Sequence, residues 1–293
     1  MIRRPPRSTP PRNRRQRQMC IRDRFVPSYS PENYPNGGPP SSINATMDIS
    51  AAKQLLRNLI KASQILNVDE DYRDTWSELI NNLPDYEVDD EGYFREWLWP
   101  GLNNNNDHRH ASLLYALYDE IPEDIINDTV LVKGIENYLD YNLDYKARAT
   151  SMAFGAVQNG LAAAHIGHAK YAEYAIHILL FNYWANGMAS LHDKDDVLNM
   201  DISGGFPYLC ASALIYADPG NIKLLPAKPV SWEKGTLKGI RLRGSVVVEK
   251  LCWDHESVEA IITSDKDQIL NVEFEDQLKS INLSKGISET IKF

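Results

Sequence analysis

The hydrophobic period of this chain changes once. Up to about residue 216 apolar residues recur at helical spacing, and from residue 239 onward they alternate or run in short β-branched blocks. Ile-Arg-Leu-Arg-Gly-Ser-Val-Val-Val-Glu (240–249), residues 258–263 and residues 269–274 read as strands. Helices followed by strands imply an α domain and a separate β domain. The expected hinge is Leu-Leu-Pro-Ala-Lys-Pro (224–229), because two prolines stop the helical pattern before the strands begin.

In the helical part, the first helix follows Asp48, a candidate N-cap, with Ile49, Ala52, Leu55, Leu56, Leu59 and Ile60 on one face. A second spans residues 69–82, carries Tyr72, Trp76, Leu79 and Ile80, and ends before Pro84. More helices are predicted near 112–119, 129–142, 150–165, 168–185 and 206–216. Three longer loops separate them, at 25–46, 85–111 and 189–205. Helix pairs joined alternately by short and long loops suit a toroid of helical hairpins whose long loops share one rim; a solenoid has the same helix count. Long loops in compact domains tend to be functional.

Charge is unevenly spread. Residues 1–24 hold nine of the 31 basic residues and one of the 40 acidic ones, so the body is more acidic than the formal net charge of −9. An acidic body argues against binding a phosphate backbone, and no nucleic-acid partner is expected. The head itself is rich in Arg and Pro and lacks the apolar run of roughly 7–15 residues that a signal peptide needs. It is expected to be disordered and non-native: residues 17–24, Arg-Gln-Met-Cys-Ile-Arg-Asp-Arg, look like translated sequencing adapter. The fold is expected to begin at Phe25. Three cysteines (Cys20, Cys210, Cys252) give no spacing for a metal or a disulfide framework. No apolar stretch reaches the ~18 residues of a membrane span.

The loops carry the chemistry. Glu32 lies between Pro31 and Asn33 with Tyr29 and Tyr34 nearby, so it reads either as a solvated loop glutamate or as a carboxyl that flanking rings dry into a general acid. Asp201 precedes Gly204-Gly205 and reads either as a helix N-cap or turn aspartate, or as a carboxylate where backbone approaches a ligand closely. Trp97 and Trp99 are core anchors or a platform for a sugar ring. On an extended loop His108 and His110 would face one way and Arg109 the other. Two histidines without a third ligand make a weak zinc case, and hydrogen bonding to sugar hydroxyls suits the trio better. His165, His168 and His177 fall on helical faces as structural residues. Neither a Gly-rich phosphate loop nor a dinucleotide fingerprint occurs, so no cofactor is expected. Two carboxylates on separate loops, with Trp, Arg and His beside them, fit glycosidic cleavage, which needs one acid to protonate the leaving oxygen and another to activate water or attack carbon.

Five stretches, taken in order, resemble the second half of a glycoside hydrolase family 95 enzyme. They are Pro-Ser-Tyr-Ser-Pro-Glu-Asn (27–33), Thr-Met-Asp (46–48), His-Arg-His-Ala-Ser-Leu-Leu-Tyr (108–115), Asp-Ile-Ser-Gly-Gly-Phe (201–206), and residues 224–229 with Trp232 and residues 239–244. The resemblance implies a mainly α fold with a C-terminal β domain. Residues 25–225 would be a partial (α/α)6 barrel, or toroid, and residues 226–293 a small antiparallel β-sandwich-like domain. It implies an inverting hydrolase of terminal α-L-fucose, α-1,2-linked, on glycans, extracellular or periplasmic, present here as a truncated and inactive fragment. Glu32 would be the general acid and Asp201 the general base, about 6.5–9.5 Å apart to admit a water. Arg109 and His110 would contact the sugar, with His108, Trp97, Trp99 and Tyr34 as further substrate-binding residues. Three departures stand out: the family's Asn pair upstream of the acid is absent, Leu113 replaces an expected His, and Ser203 replaces the usual Asn after the base. An α-L-galactosidase of the same family and a non-catalytic glycan-binding or scaffold toroid are the competing readings.

Overall fold

The computed structural model describes residues 24–148, 152–185, 187–193 and 197–293. The expectation about residues 1–23 lies outside the described residues. The described chain forms two compact units. One lies within Met1–Ala116 and Pro122–Tyr138, the other within Leu117–Ile121 and Leu139–Phe293.

The first unit is built on α1 (Thr46–Leu66) and α2 (Arg73–Asn81), with a short 3-10 turn, Glu70–Tyr72, between them. Helix α1 starts ahead of Asp48, at an Ala45 N-cap with no side-chain bond. Asp48 lies in the first turn, where its Oδ2 accepts from Ser28 Oγ at 2.5 Å. Of the predicted apolar stripe only Ile49 is buried, while Leu55 and Leu59 are exposed. The buried side of α1 instead carries Thr46, Ser50, Lys53 and Ser63 beside Ile49. The two long loops fold over the start of this helix. Ala45 bridges Trp97, Thr46 N–H donates to Glu96 O (2.9 Å), and Leu98 N–H donates to Asn44 O (2.8 Å). The run Asn103 to Asn106 acts as a fastener: Asn104 Oδ1 accepts from Glu96 N–H (2.8 Å), its Nδ2 donates to Phe94 O (3.0 Å), and its carbonyl accepts from Asn36 Nδ2 (2.5 Å). A 3-10 segment (Ser112–Leu117), α3 (Glu123–Ile126) and the start of α4 (Thr129–Arg148) follow.

In the second unit α5 (Ala153–His165) is buried along nearly its whole length and packs against both α6 (Ala169–Asn182) and α7 (Met200–Leu214). Small residues permit that approach. A Cβ on Gly160 would lie 2.6 Å from Leu209 Cδ2 and 2.9 Å from Ala175 Cβ, and one on Gly205 would lie 2.8 Å from Val157 Cγ1. His165 Nδ1 donates to Leu117 O (2.6 Å), with burial lowering its pKa, and His168 caps α6 by accepting from Tyr171 N–H. Both are structural. A two-residue hairpin, β1 (Trp184–Ala185) and β2 (Ala189–Ser190), precedes α7.

Strands begin directly at the end of α7, ahead of the 224–229 segment. They are β3 (Ile215–Asp218), β4 (Asn221–Leu224), β5 (Gly235–Leu242), β6 (Val246–Trp253), β7 (Val258–Ser264), β8 (Gln268–Phe274), β9 (Gln277–Leu283) and β10 (Glu289–Lys292). They make two four-stranded sheets, ordered β10-β7-β6-β5 and β3-β4-β8-β9. Inward residues of both sheets, among them Val248, Leu251 and Ile262 of one and Ile222, Leu270 and Val272 of the other, share one apolar core, as in a sandwich. Pairing is antiparallel as expected except at one ladder: β4 runs parallel to β8, to which the chain returns after making three strands of the other sheet, β5 to β7.

Candidate active site

Glu32 belongs to the first unit and Asp201 to the second. Glu32 sits at the third position of a tight turn closed by Asn33 N–H to Ser30 O (3.0 Å), with Pro31 before it. Its φ is 58°, in the left-handed region that normally falls to Gly or Asn at this position. Such a conformation costs about 1–3 kcal/mol and persists only where its surroundings over-determine it.

Those surroundings are specific. The Arg109 guanidinium is ion-paired with Glu32 Oε2, and His110 Nε2 lies 3.1 Å from the same oxygen. His108 Nε2 is 2.8 Å from Glu32 O, while its Nδ1 accepts from His110 N–H at 3.2 Å. The second contact leaves Nε2 as the protonated nitrogen that donates to the Glu32 carbonyl. The strict alternation expected of an extended His-Arg-His is thus broken. The chain bends at Asp107 and Arg109, which lets Arg109 and His110 reach one carboxylate together.

Flanking rings do not dry that carboxylate. The Glu32 side chain is 54% exposed, and Tyr29 and Tyr34 are 46% and 52% exposed. The buried carboxyl is Glu96, 2% exposed, whose pKa burial raises from 4.5 to about 7 against hydrogen bonds from Ser30 and Asn33. Sequence reasoning passed over Glu96, Ser30, Asn33 and Asn105. The available signal was an acid inside Phe-Arg-Glu-Trp-Leu-Trp (94–99), a run too apolar to stay in solvent.

Of the two tryptophans, Trp97 is 0% exposed. Its ring is a core anchor and offers no face to a sugar. Trp99 is half-buried and has the Arg24 guanidinium 5.4 Å from its ring centroid, a cation–π contact with the residue just before Phe25. Leu113 is fully buried in the core.

Asp201 is not in a loop. It lies exposed in the first turn of α7, whose N-cap is Asn199, with Asn199 Oδ1 accepting from Ile202 N–H at 3.0 Å. Gly204 and Gly205 are inside the helix, so Gly205 serves the packing of α7 on α5. Ser203 Oγ bonds Ser190 Oγ (2.6 Å), and Ser190 Oγ donates to Asn199 O (2.6 Å), which ties the helix start to β2. Asn199 Nδ2 also lies 2.9 Å from His192 Nδ1. Among the described residues no cluster of three or more His, Cys, Asp or Glu could hold a metal, and no helix is long and apolar enough to cross a membrane.

The profile of the glycosyl hydrolase family 95 catalytic domain matches residues 19–213, and that of the glycoside hydrolase family 95 C-terminal domain matches residues 217–292. The chain belongs to glycoside hydrolase family 95. It is similar to alpha-L-fucosidase 2 of Arabidopsis thaliana, at 26% identity over 242 residues, which is 76% of this chain and 27% of that relative. The chain therefore spans about a quarter of the length of the relative it matches. A solved structure titled putative kojibiose phosphorylase from human microbiome aligns at a TM-score of 0.44 and 13% identity, over 86% of this chain and 40% of that one. The family's helical catalytic domain followed by β sheets is the architecture observed. Gly205 and Ser203, which follow Asp201, have the packing and tethering roles described above.

Proposed function

We propose that the whole protein is an inverting glycoside hydrolase that removes terminal α-L-fucose, α-1,2-linked, from glycans. The observation that carries this reading is the presentation of Glu32. A carboxyl is held on a strained turn with Arg109 and His110 on one of its oxygens, in a chain of this family. Glu32 is the general acid and Asp201 the general base. Glu32 gives its proton to the glycosidic oxygen while Asp201 takes one from a water that attacks the anomeric carbon from the opposite face. One bond forms as the other breaks, and no sugar is attached to the protein at any stage.

The Glu32 carboxylate faces two basic side chains, Arg109 and His110. Opposite charge nearby favours the charged form of a carboxyl, whereas a general acid must carry a proton. Sugar hydroxyls that draw Arg109 and His110 away from Glu32 relieve that opposition, so the same two side chains orient the acid and bind the substrate. His108 then remains on the Glu32 carbonyl and keeps the turn in place. Tyr34, exposed beside the turn, and Trp99 are candidates for apolar contact with the ring. α-L-Galactosides, which differ from fucosides by one hydroxyl at carbon 6, are the substrates to compare.

Proton NMR of the first-formed sugar tests the reading. An α-L-fucoside should release β-L-fucose, and Glu32→Gln should lower turnover of a fucosyl disaccharide by about 10²–10⁴-fold. Release of the α anomer, or a glycosyl adduct on either carboxylate, overturns it.

A further inference from the structure

Glu96 has no part in the reaction just described, yet it is the buried carboxyl beneath the turn that presents the acid. Ser30 Oγ donates to Glu96 Oε1, and the Asn33 side chain lies near enough to the same carboxyl to lower its pKa. Ser30 and Asn33 are the first and last residues of the turn, closed on each other by their own backbone bond. Both ends of the turn thus face one group. Glu96 is itself immobile: its N–H donates to Asn104 Oδ1, its carbonyl accepts from Thr46 N–H, and its neighbours Trp97 and Leu98 are core. A second tie secures the Asn33 end, where Asn33 Oδ1 accepts from Asn105 Nδ2 (3.0 Å) and Asn33 Nδ2 donates to Asn105 O (3.3 Å).

We infer that Glu96 is a positioning residue for Glu32: its carboxyl clamps Ser30 and Asn33 so that the strained residue between them holds its acid at the glycosidic oxygen. The inference rests on the assignment of Glu32 as general acid. A carboxyl at this place is otherwise hard to account for. Burial raises its pKa to about 7, so it opposes folding whenever it is ionised, and an apolar residue would suit the surrounding core better. What an apolar residue cannot do is accept from Ser30 and attract the Asn33 amide. The clamp also supplies the over-determination that φ 58° at Glu32 requires.

A positioning role and a merely structural one separate on the leaving group. An alcohol leaves a sugar only with a proton from the acid, whereas fluoride leaves with little help. Displacing the acid therefore slows a fucosyl disaccharide and spares α-L-fucosyl fluoride; loosening the whole fold slows both. In the whole protein Glu96→Ala should lower kcat for the disaccharide by about 10²-fold, the scale of a misplacement near 1 Å, and change kcat for the fluoride by less than about threefold. Glu96→Gln, which keeps an acceptor oxygen, should recover most of the loss. Should Glu96→Ala fail to fold, Ser30→Ala and Asn33→Ala cut the same clamp from the turn side and should show the same selectivity. Glu32→Gln is the reference. If it spares the fluoride while the clamp variants slow both substrates alike, or slow neither, the positioning role is overturned and the acid assignment stands. If Glu32→Gln itself slows both alike, the acid assignment falls and the clamp falls with it.

Discussion

Arg109 closes on the Glu32 carboxylate at the tip of a turn whose backbone sits at φ 58°. His110 approaches the same oxygen, so the ion pair is one side of a small cage and not an isolated surface contact. An exposed pair of this kind contributes little to stability. Its proposed consequence lies in binding, because a guanidinium already held beside the carboxylate loses little freedom when it turns to a sugar hydroxyl.

Arg109→Ala should therefore act on substrate binding. A charge-assisted hydrogen bond is worth about 1.5–3 kcal/mol, which corresponds to a rise in KM of roughly 10- to 100-fold. Arg109→Lys should recover only part, since a point charge lacks the planar fork. Unchanged KM in both variants would leave Arg109 as a tether for Glu32 and nothing more.

Glu96 gives a stability signature with a defined sign. Its pKa in the folded protein is about 7 against a reference of 4.5. Between these values the unfolded chain has released the proton and the folded one retains it, so stability falls as pH rises from about 4.5 through 7. The full loss, of order 3 kcal/mol, is reached above that window. Glu96→Gln should abolish this dependence: the variant should match the parent near pH 4.5 and exceed it at pH 8. Urea denaturation at the two pH values is the measurement, and a difference that does not change with pH would refute the assignment of the shift to this residue.

The two tryptophans of residues 97–99 should separate cleanly. Trp97 is fully buried, and its loss in Trp97→Ala should cost about 3–5 kcal/mol. Trp99→Ala removes a half-buried ring and a cation–π contact with Arg24 worth about 0.5–1 kcal/mol. Equal destabilisation of the two variants would contradict the burial described.

How far the sequence spoke for itself follows from these residues. The change of period located the sheets because β5 to β8 are seven or eight residues long and carry alternating or β-branched apolar residues, most densely in β6 and β7. It missed β3, β4 and β10, which have four residues each and too few alternations to register, and β9, whose Gln-Leu-Lys-Ser-Ile-Asn-Leu is mostly polar and exposed. Gly204-Gly205 read as the end of a loop where backbone approaches a ligand, yet both lie inside α7, where Gly205 packs on Val157; a glycine that allows helix packing and one that allows ligand approach look alike in a sequence. Glu32 and the His-Arg-His trio were legible as loop chemistry. The clamp was not, for Ser30 and Glu96 are 66 positions apart and Asn33 and Asn105 are 72 apart.

Close packing at Gly160 makes a further test of the helical core. In an exposed helix Gly→Ala would stabilise by about 1 kcal/mol. Here the new methyl meets Ala175 Cβ at 2.9 Å, an atom fixed to its own backbone, as well as Leu209. Overpacking of about 1–3 kcal/mol should win, so Gly160→Ala lowers the melting temperature. A raised melting temperature would mean that α5 and α6 have room to separate.

Asp201 calls for a test that distinguishes a base from a helix-start residue. It stands in the first turn of α7, where a negative charge suits the helix dipole, but the cap is supplied by Asn199 and the tether by Ser190 and Ser203. Asp201→Asn keeps shape and leaves those bonds intact, so its melting temperature should stay close to that of the parent. Its activity should not. A base draws the proton from water whichever group departs, so the loss of about 10²–10⁴-fold should fall on α-L-fucosyl fluoride as heavily as on a fucosyl disaccharide. Glu32→Gln should fall on the disaccharide alone. The contrast requires the same four rates to be measured side by side. Hydrolysis of the fluoride by Asp201→Asn at the parental rate would remove Asp201 from the reaction and leave it as an ordinary acidic residue at a helix start.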